Sequence, residues 1–409
     1  MKRAFLLHVL LLGVSCGYCQ EWERLHEQAE HLYKEKKYQD AIPVYRRALQ
    51  AAATEFGERH RNYVRSLLGL ADTYDDLNNF VDAGGLYKDV LDRQRDITGE
   101  EHRDYARVLL RLGILYYEKL EEIHKADSVY SRYRDIIFKI EGKESIEYAV
   151  ALNTLANVYT TLEKYKEAEM LYMEARNIRK KRLGATHQDY LSTVKNLGSL
   201  YHITGQYHYA IPFFDEWVNT IRKTGGKPGR DFALVLYDLG KALLKEEIYV
   251  RADTVLSESA PLLKEFFGEK SDEYVTCINE LGILYTVMNQ FGKANLWLQR
   301  VRAGTSANYG DTSLQMAAVN NNLGFLHYRN REWERAAGYY GIAAGILEKA
   351  GETQTGEYAT LLHNLGQVYV AMGKDSLAED YYLHSLSLLR NMDDQPSYEL
   401  VVTNMAGFY

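Results

Sequence analysis

Residues 152–184 read LNTLANVYTTLEKYKEAEMLYMEARNIRKKRLG, and the spacing inside this stretch decides the fold. Leu152, Leu155, Ala156 and Tyr159 fall at i, i+3, i+4 and i+7, which places them on one stripe of a helix. Twelve residues after Ala156 comes Ala168, followed by Tyr172 and Ala175 on the stripe of a second helix. Glu163, Lys164 and Tyr165 make the tight turn between them, and Gly184 stands where the second helix stops. Small residues let two helices approach closely, and the aromatic fills the gap beside them.

The same pattern recurs along the chain. Its marker is a small residue at Ala29, Ala71, Gly113, Ala156, Gly198, Gly240, Gly282, Gly324 and Gly366. Every step is 42 residues except the third, which is 43, and that one points to an extra residue in the turn around Glu121 to Lys125. A constant step over nine units is the signature of an array in which each unit packs on its neighbours. The expected fold is all-α, a solenoid of about nine helical hairpins over residues 20–391. Gly57, Gly99, Gly142, Gly184, Gly226, Gly268, Gly310 and Gly351 close the second helices, where a left-handed residue is expected. Tyr63, Tyr105, Tyr148, Tyr190, Phe232, Tyr274 and Tyr358 open the next first helices, which explains much of the 34-tyrosine content. The sixth unit departs from the pattern, with Leu243 in place of Tyr and Ser259 in place of Ala. Residues 392–409 repeat the start of the ninth unit, with Asn404, Met405 and Ala406 matching Asn364, Leu365 and Gly366. They read as the first helix of a tenth, incomplete repeat, and suggest that the natural protein continues beyond them.

These residues carry a resemblance. The small-residue spacing of twelve and seven in Ala29, Ala41 and Ala48, or in Ala156, Ala168 and Ala175, is similar to the tetratricopeptide repeat. The 42-residue step exceeds that family's usual ~34 and resembles its kinesin-light-chain-like subtype. The linkers GERHRNY at Gly57, GEEHRDY at Gly99 and GATHQDY at Gly184 resemble those of the same subtype. The resemblance implies a scaffold that binds proteins or peptides, with no enzyme activity and no cofactor. Exported bacterial arrays of this kind often precede a caspase-like (CHAT) peptidase domain, so it further implies a sensing or regulatory role in a longer protein.

Composition narrows the setting. Apolar residues make up 46% and charged residues 26% of the 409, with a formal net charge of −7. The acidic balance and the lack of any basic stripe argue against a nucleic-acid partner. Residues 1–19 read as an export signal: Lys2 and Arg3, then the apolar run from Ala4 to Val14, then small residues. That run is too short to span a bilayer, and no later segment is apolar over 18 residues. The expected location is the periplasm or the cell surface. Lipidation of Cys16 is a second reading, weakened by Gly13 standing where such sites carry Leu. Cys16 and Cys19 form a CxxC within the signal, without the βαβ context a redox site needs, so the mature chain keeps Cys277 alone.

No catalytic or metal motif emerges. TGGKPG at Thr224 to Gly229 lacks the phosphate-loop frame, and neither His26 with His31 nor His202 with His208 has the i, i+4 placement of helix-borne metal ligands. A binding surface follows from helical geometry instead. Counting from the small residue, positions −3, −2, +1 and +4 of each first helix point away from the hairpin core. These positions give Asn153 and Asn157, then Lys195, Asn196 and His202, then Tyr237, Asp238 and Lys241, then Asn279 and Glu280. Asn321, Asn322 and Tyr328 come next, and His363, Asn364 and Gln367 complete the set. Asp72, Asp75 and Arg111 extend it towards the N-terminus with alternating sign.

Asn is a poor helix former, so its recurrence needs a cause. Its amide suits the backbone of an extended peptide. Groove asparagines of the subtype hold peptide main chain, which the resemblance implies for Asn196, Asn322 and Asn364. The alternative is that these amides bridge adjacent helices and only support the stack. A glycan or nutrient site on an aromatic platform of Tyr237, Phe325 and Tyr328 is the competing functional reading.

Overall fold

A computed structural model of the chain describes residues 21–225, 228–392 and 394–407. The signal reading for residues 1–19, Cys16 included, and Gly226 lie outside the described residues. The described residues form consecutive antiparallel helical hairpins. The first-type helices are α1 (21–34), α3 (Arg61–Asp76), α5 (Arg103–Ile114), α7 (Ile146–Thr161), α9 (Gln188–Ile203), α11 (Arg230–Lys245), α13 (Asp272–Val287), α15 (Leu314–Arg329), α17 (Gly356–Ala371) and α19 (Gln395–Ala406). The second-type helices are α2 (Tyr38–Glu55), α4 (Phe80–Thr98), α6 (Ile123–Glu141), α8 (Tyr165–Leu183), α10 (Tyr207–Lys223), α12 (Tyr249–Phe267), α14 (Phe291–Tyr309), α16 (Trp333–Ala350) and α18 (Asp375–Asn391). The chain divides into two compact units, residues 1–200 and 201–409. In the second unit each helix packs on the next, and α11 also touches α13, α13 touches α15, and α15 touches α17, so the first helices share a face.

The small residue works through the bulky side chain opposite it, which is aromatic in most units and Leu256 or Leu298 opposite Gly240 and Gly282. A Cβ added to Gly113 would come within 2.3 Å of the Tyr130 ring, and one at Gly324 within 2.6 Å of Tyr340. Where the residue is Ala, the ring is placed differently. Tyr87, opposite Ala71, is anchored by its hydroxyl to Asp72 at 2.8 Å, and Tyr172, opposite Ala156, to Asn157 at 2.6 Å. Tyr45, opposite Ala29, leans over Gly69 of the next first helix instead. The Ser259 departure is absorbed locally, because its hydroxyl donates to the Ala233 carbonyl at 2.8 Å. Ser385 does the same to Ala359.

Two sequence readings change in detail. The extra residue of the third unit is not in the turn around Glu121 to Lys125. It is taken up earlier, as a π-helical turn at Leu115–Lys119 that ends the first helix. A π turn absorbs one residue without breaking the helix. The left-handed turn residue therefore falls at Glu121, one place later than its counterparts Asn78, Glu163, Glu247, Asn289 and Arg331.

The described closing glycines have positive φ, and Gly351 is in the left-handed helical region, at φ 80° and ψ 11°. Gly142 has φ 81° and ψ 166°, and Gly99, Gly184, Gly268 and Gly310 are alike, a region essentially closed to other residues. The linker histidines also have a structural task. His60, His102 and His187 cap α3, α5 and α9, each Nδ1 accepting a backbone N–H at 3.1–3.2 Å. Ser145, Ser271, Ser313 and Thr355 cap four of the other first helices through their hydroxyls.

Candidate functional site

The asparagines at position −2 each reach the preceding first helix. In the second unit Asn322 donates its amide to Asn279 Oδ1 at 2.8 Å, and Asn364 donates to Asn321 Oδ1 at 3.1 Å. Asn404 meets His363 Nε2 at 2.8 Å. These are three rungs of one ladder, running from position −2 to position −3 of the repeat before. In the first unit Asn196 donates to Asn157 Oδ1 at 3.1 Å, a rung from −2 to +1. That choice leaves Asn153 Oδ1 buried without a hydrogen bond. Arg111 takes the same −2 to +1 path, meeting Asp72 at 2.8 Å. The alternating signs expected along this face therefore meet as a pair.

The bridging that the sequence left as an alternative is thus present, and it uses one N–H of each −2 amide. The other N–H and the carbonyl oxygen remain as chemical capacity of a half-buried side chain. Asn153 and His363, expected on the open face, are buried at 7% and 6% exposure, and His363 is met by Asn404 of the next first helix. Asn157, Lys195, Asn196, Asn321, Asn322, Asn364 and Gln367 are half-buried at the surface of their helices. Asn404 was the rung the expected set omitted. Its position two residues before Ala406 was the signal that could have found it.

In the second unit the first helices before the ladder carry charge. Glu280 occupies position −2 of α13, and its carboxyl is held above the usual range by burial, with Lys241 and Lys245 acting against the shift. Burial, then Lys241, lowers His202 to about 4, and its Nδ1 is buried without a partner. The neutral ring packs edge-on against Tyr207 and Phe214. Burial and the carboxylates of Glu280 and Asp238 hold the Tyr237 hydroxyl well above its usual range. Tyr237 is on α11, whereas Phe325 and Tyr328 are on α15, with α13 packed against both helices. Tyr328 instead packs against Trp333 at 5.5 Å, and Arg329 lies over Phe325. The aromatic platform expected for a glycan is not assembled.

One constellation has the residue types of a hydrolytic triad. His26 Nδ1 lies 3.0 Å from Ser66 Oγ, and His26 Nε2 lies 3.1 Å from Glu30 Oε1. Ser66 is fully buried and also accepts the Trp22 indole N–H at 3.1 Å. The relay ties α1 to α3, and Ser66 offers no surface to a substrate. Cys277 is buried too, and burial pushes its thiol up to about 12. Among the described residues no group of three or more His, Cys, Asp or Glu is placed to hold a metal, and no helix is long and apolar enough to cross a membrane.

A chain of 42-residue hairpins, each built on a small residue under a bulky one, is a helical-repeat scaffold. The tetratricopeptide repeat family model matches residues 24–96, 147–219 and 315–391, and the chain belongs to that family. Its structure is similar to the apo form of RapI, at TM-score 0.60 and 12% identity, over 91% of this chain and 99% of that one. Weaker likenesses include BtubC (BKLC) from P. vanneervenii, at TM-score 0.46 and 21% identity, over 59% of this chain and 90% of that one. A putative kinesin light chain repeat protein from Podosopora anserina matches at TM-score 0.45 and 20% identity, over 50% of this chain and 95% of that one. No curated protein matches the chain.

Proposed function

We propose that this protein is an exported scaffold whose first-helix face holds an extended segment of a partner protein. The observation that carries the reading is the amide ladder of Asn279–Asn322, Asn321–Asn364 and His363–Asn404. Each rung fixes an amide in place while leaving part of its hydrogen-bonding capacity unused. Packed helices lie ~8–10 Å apart, and an extended chain advances ~3.3 Å per residue. One rung therefore meets about every third residue of a strand laid across the first helices. Backbone groups of such a strand need partners wherever they leave water, and a fixed amide supplies both a donor and an acceptor.

Export rests on the positive start and short apolar run of residues 1–19. The resemblance to exported arrays that precede a caspase-like CHAT domain supports a sensing role within a longer protein. A reading frame that encodes such a domain after residue 409 would support this finer reading, and a stop codon there would remove it. The binding reading is tested by using residues 20–409 as bait in cell-envelope extract, beside an Asn196→Ala/Asn322→Ala/Asn364→Ala variant of equal helicity. A partner lost in the variant supports recognition on this face. A partner that persists places the binding surface elsewhere.

A further inference from the structure

One first helix starts differently from the rest. Ten residues before the small residue the first helices carry a side chain, among them Arg61, Arg103, Ile146, Arg230 and Leu314. In α17 that position is Gly356, and a Cβ built there would meet nothing within 4 Å. The space opens into a cavity of about 270 Å³ between α15 and α17, with Ala317, Leu347 and Leu361 among its walls. Ala318 enlarges it on the α15 side, at the position where α3 and α5 carry Arg65 and Arg107. A cavity of ~150 Å³ already takes a benzene ring, so this one accepts a long side chain.

The chemistry of the rim selects which one. Glu357 contributes an exposed carboxylate. The Thr360 hydroxyl donates to the Gly356 carbonyl at 2.8 Å, which leaves its lone pairs to accept. Asn321 Oδ1 accepts from Asn364 at 3.1 Å and keeps a second lone pair. No lining residue is basic. Apolar walls under a rim of acceptors match a side chain with an aliphatic stem and a head that only donates. Three acceptors on different turns suit the planar fork of a guanidinium better than the point charge of an ammonium.

We propose that the cavity between α15 and α17 is the socket for an arginine side chain of the partner segment. The proposal rests on the reading of the first-helix face as a peptide site, since Asn321 belongs both to the ladder and to the rim.

The test is selection of displayed random dodecapeptides on the full chain, then titration of a selected peptide and its arginine-to-citrulline form. Citrulline keeps the shape and removes the charge. Arginine is expected at one fixed position of the selected peptides. The citrulline form should bind about tenfold more weakly, as for a lost hydrogen-bonded charge. Gly356→Leu, which fills the cavity without backbone strain, should bind both forms equally and weakly, and Glu357→Gln should cut the difference to a few-fold. Circular dichroism checks the fold of both variants, and Glu357→Gln carries the test alone if Gly356→Leu does not fold. Selected peptides without a fixed basic position, or a citrulline penalty that survives Gly356→Leu, overturn the socket and leave the peptide site standing. Selection of no peptide at all overturns the peptide site and the socket with it.

Discussion

Removing both partners of one ladder rung separates an amide that holds the stack from an amide kept for a ligand. The rung between Asn322 and Asn279 is 2.8 Å long, and both side chains are half-buried. A neutral hydrogen bond of this kind contributes ~1 kcal/mol net. Replacing Asn by Ala in a helix returns up to ~0.7 kcal/mol of intrinsic propensity. Each single variant, Asn279→Ala or Asn322→Ala, therefore loses the rung, recovers most of its value in helix propensity, and should sit close to the parent in stability. The remaining amide is half-exposed and is resolvated by water, so no large penalty for a buried orphan applies. The double variant loses the same rung once and gains propensity twice, so it should be more stable than either single variant. The coupling energy expected from the cycle is ~1 kcal/mol. Urea unfolding followed by far-ultraviolet circular dichroism reads it. Amide hydrogen exchange in α13 and α15 should accompany it, because repeat arrays unfold in parts. Additive effects, with coupling below ~0.3 kcal/mol, would refute the rung as a stabilising link. A double variant that is more stable yet no longer binds partner would mean that the asparagines are there for the ligand.

Other consequences follow from particular contacts. Gly324→Ala drives a Cβ to within 2.6 Å of Tyr340 and should cost ~1–3 kcal/mol, measurable as a lowered thermal midpoint. Gly142→Asn should cost ~1–3 kcal/mol because of its φ and ψ of 81° and 166°, whereas Gly351→Asn, in a left-handed helical site, should be tolerated. His202 has a folded value of about 4 against an ordinary 6.5, so the folded state takes up its proton later than the unfolded chain. The stability it permits is complete above about pH 6.5 and is lost as pH falls towards 4. His202→Phe should flatten that part of the stability profile, and an unchanged slope would count against the assignment. Cys277, buried and with its thiol near 12, should react with a disulfide reagent only at the rate of local unfolding.

The repeat was legible because its determinants are local and redundant. The pairing of Gly324 with Tyr340 needs only helical periodicity to be read, and nine copies of the pattern remove the ambiguity of any one. The extra residue of the third unit was legible as a count but not as a place. Both a longer turn and a π turn satisfy the spacing, and the packing of Leu115 and Tyr116 against the core selects the π turn. Asn153 and His363 show a similar limit. Helical geometry gives the direction of a side chain relative to its own hairpin, but not its burial: Asn153 and His363 are buried, His363 against Asn404 of the next first helix, while Lys195 and Asn321 at the same position are half-buried.

By itself the sequence determined the all-α repeat, its period and its hairpin chemistry, since these depend on residues twelve to sixteen apart. Only the tertiary structure decided what the binding-face asparagines do. Asn322 and Asn279 are 43 residues apart, and whether one reaches the other depends on how far each helix is rotated and raised against its neighbour. The same holds for the socket under Gly356. A missing side chain is visible in the sequence, but the space it leaves exists only because Ala317, Leu347 and Leu361, from three helices, close around it.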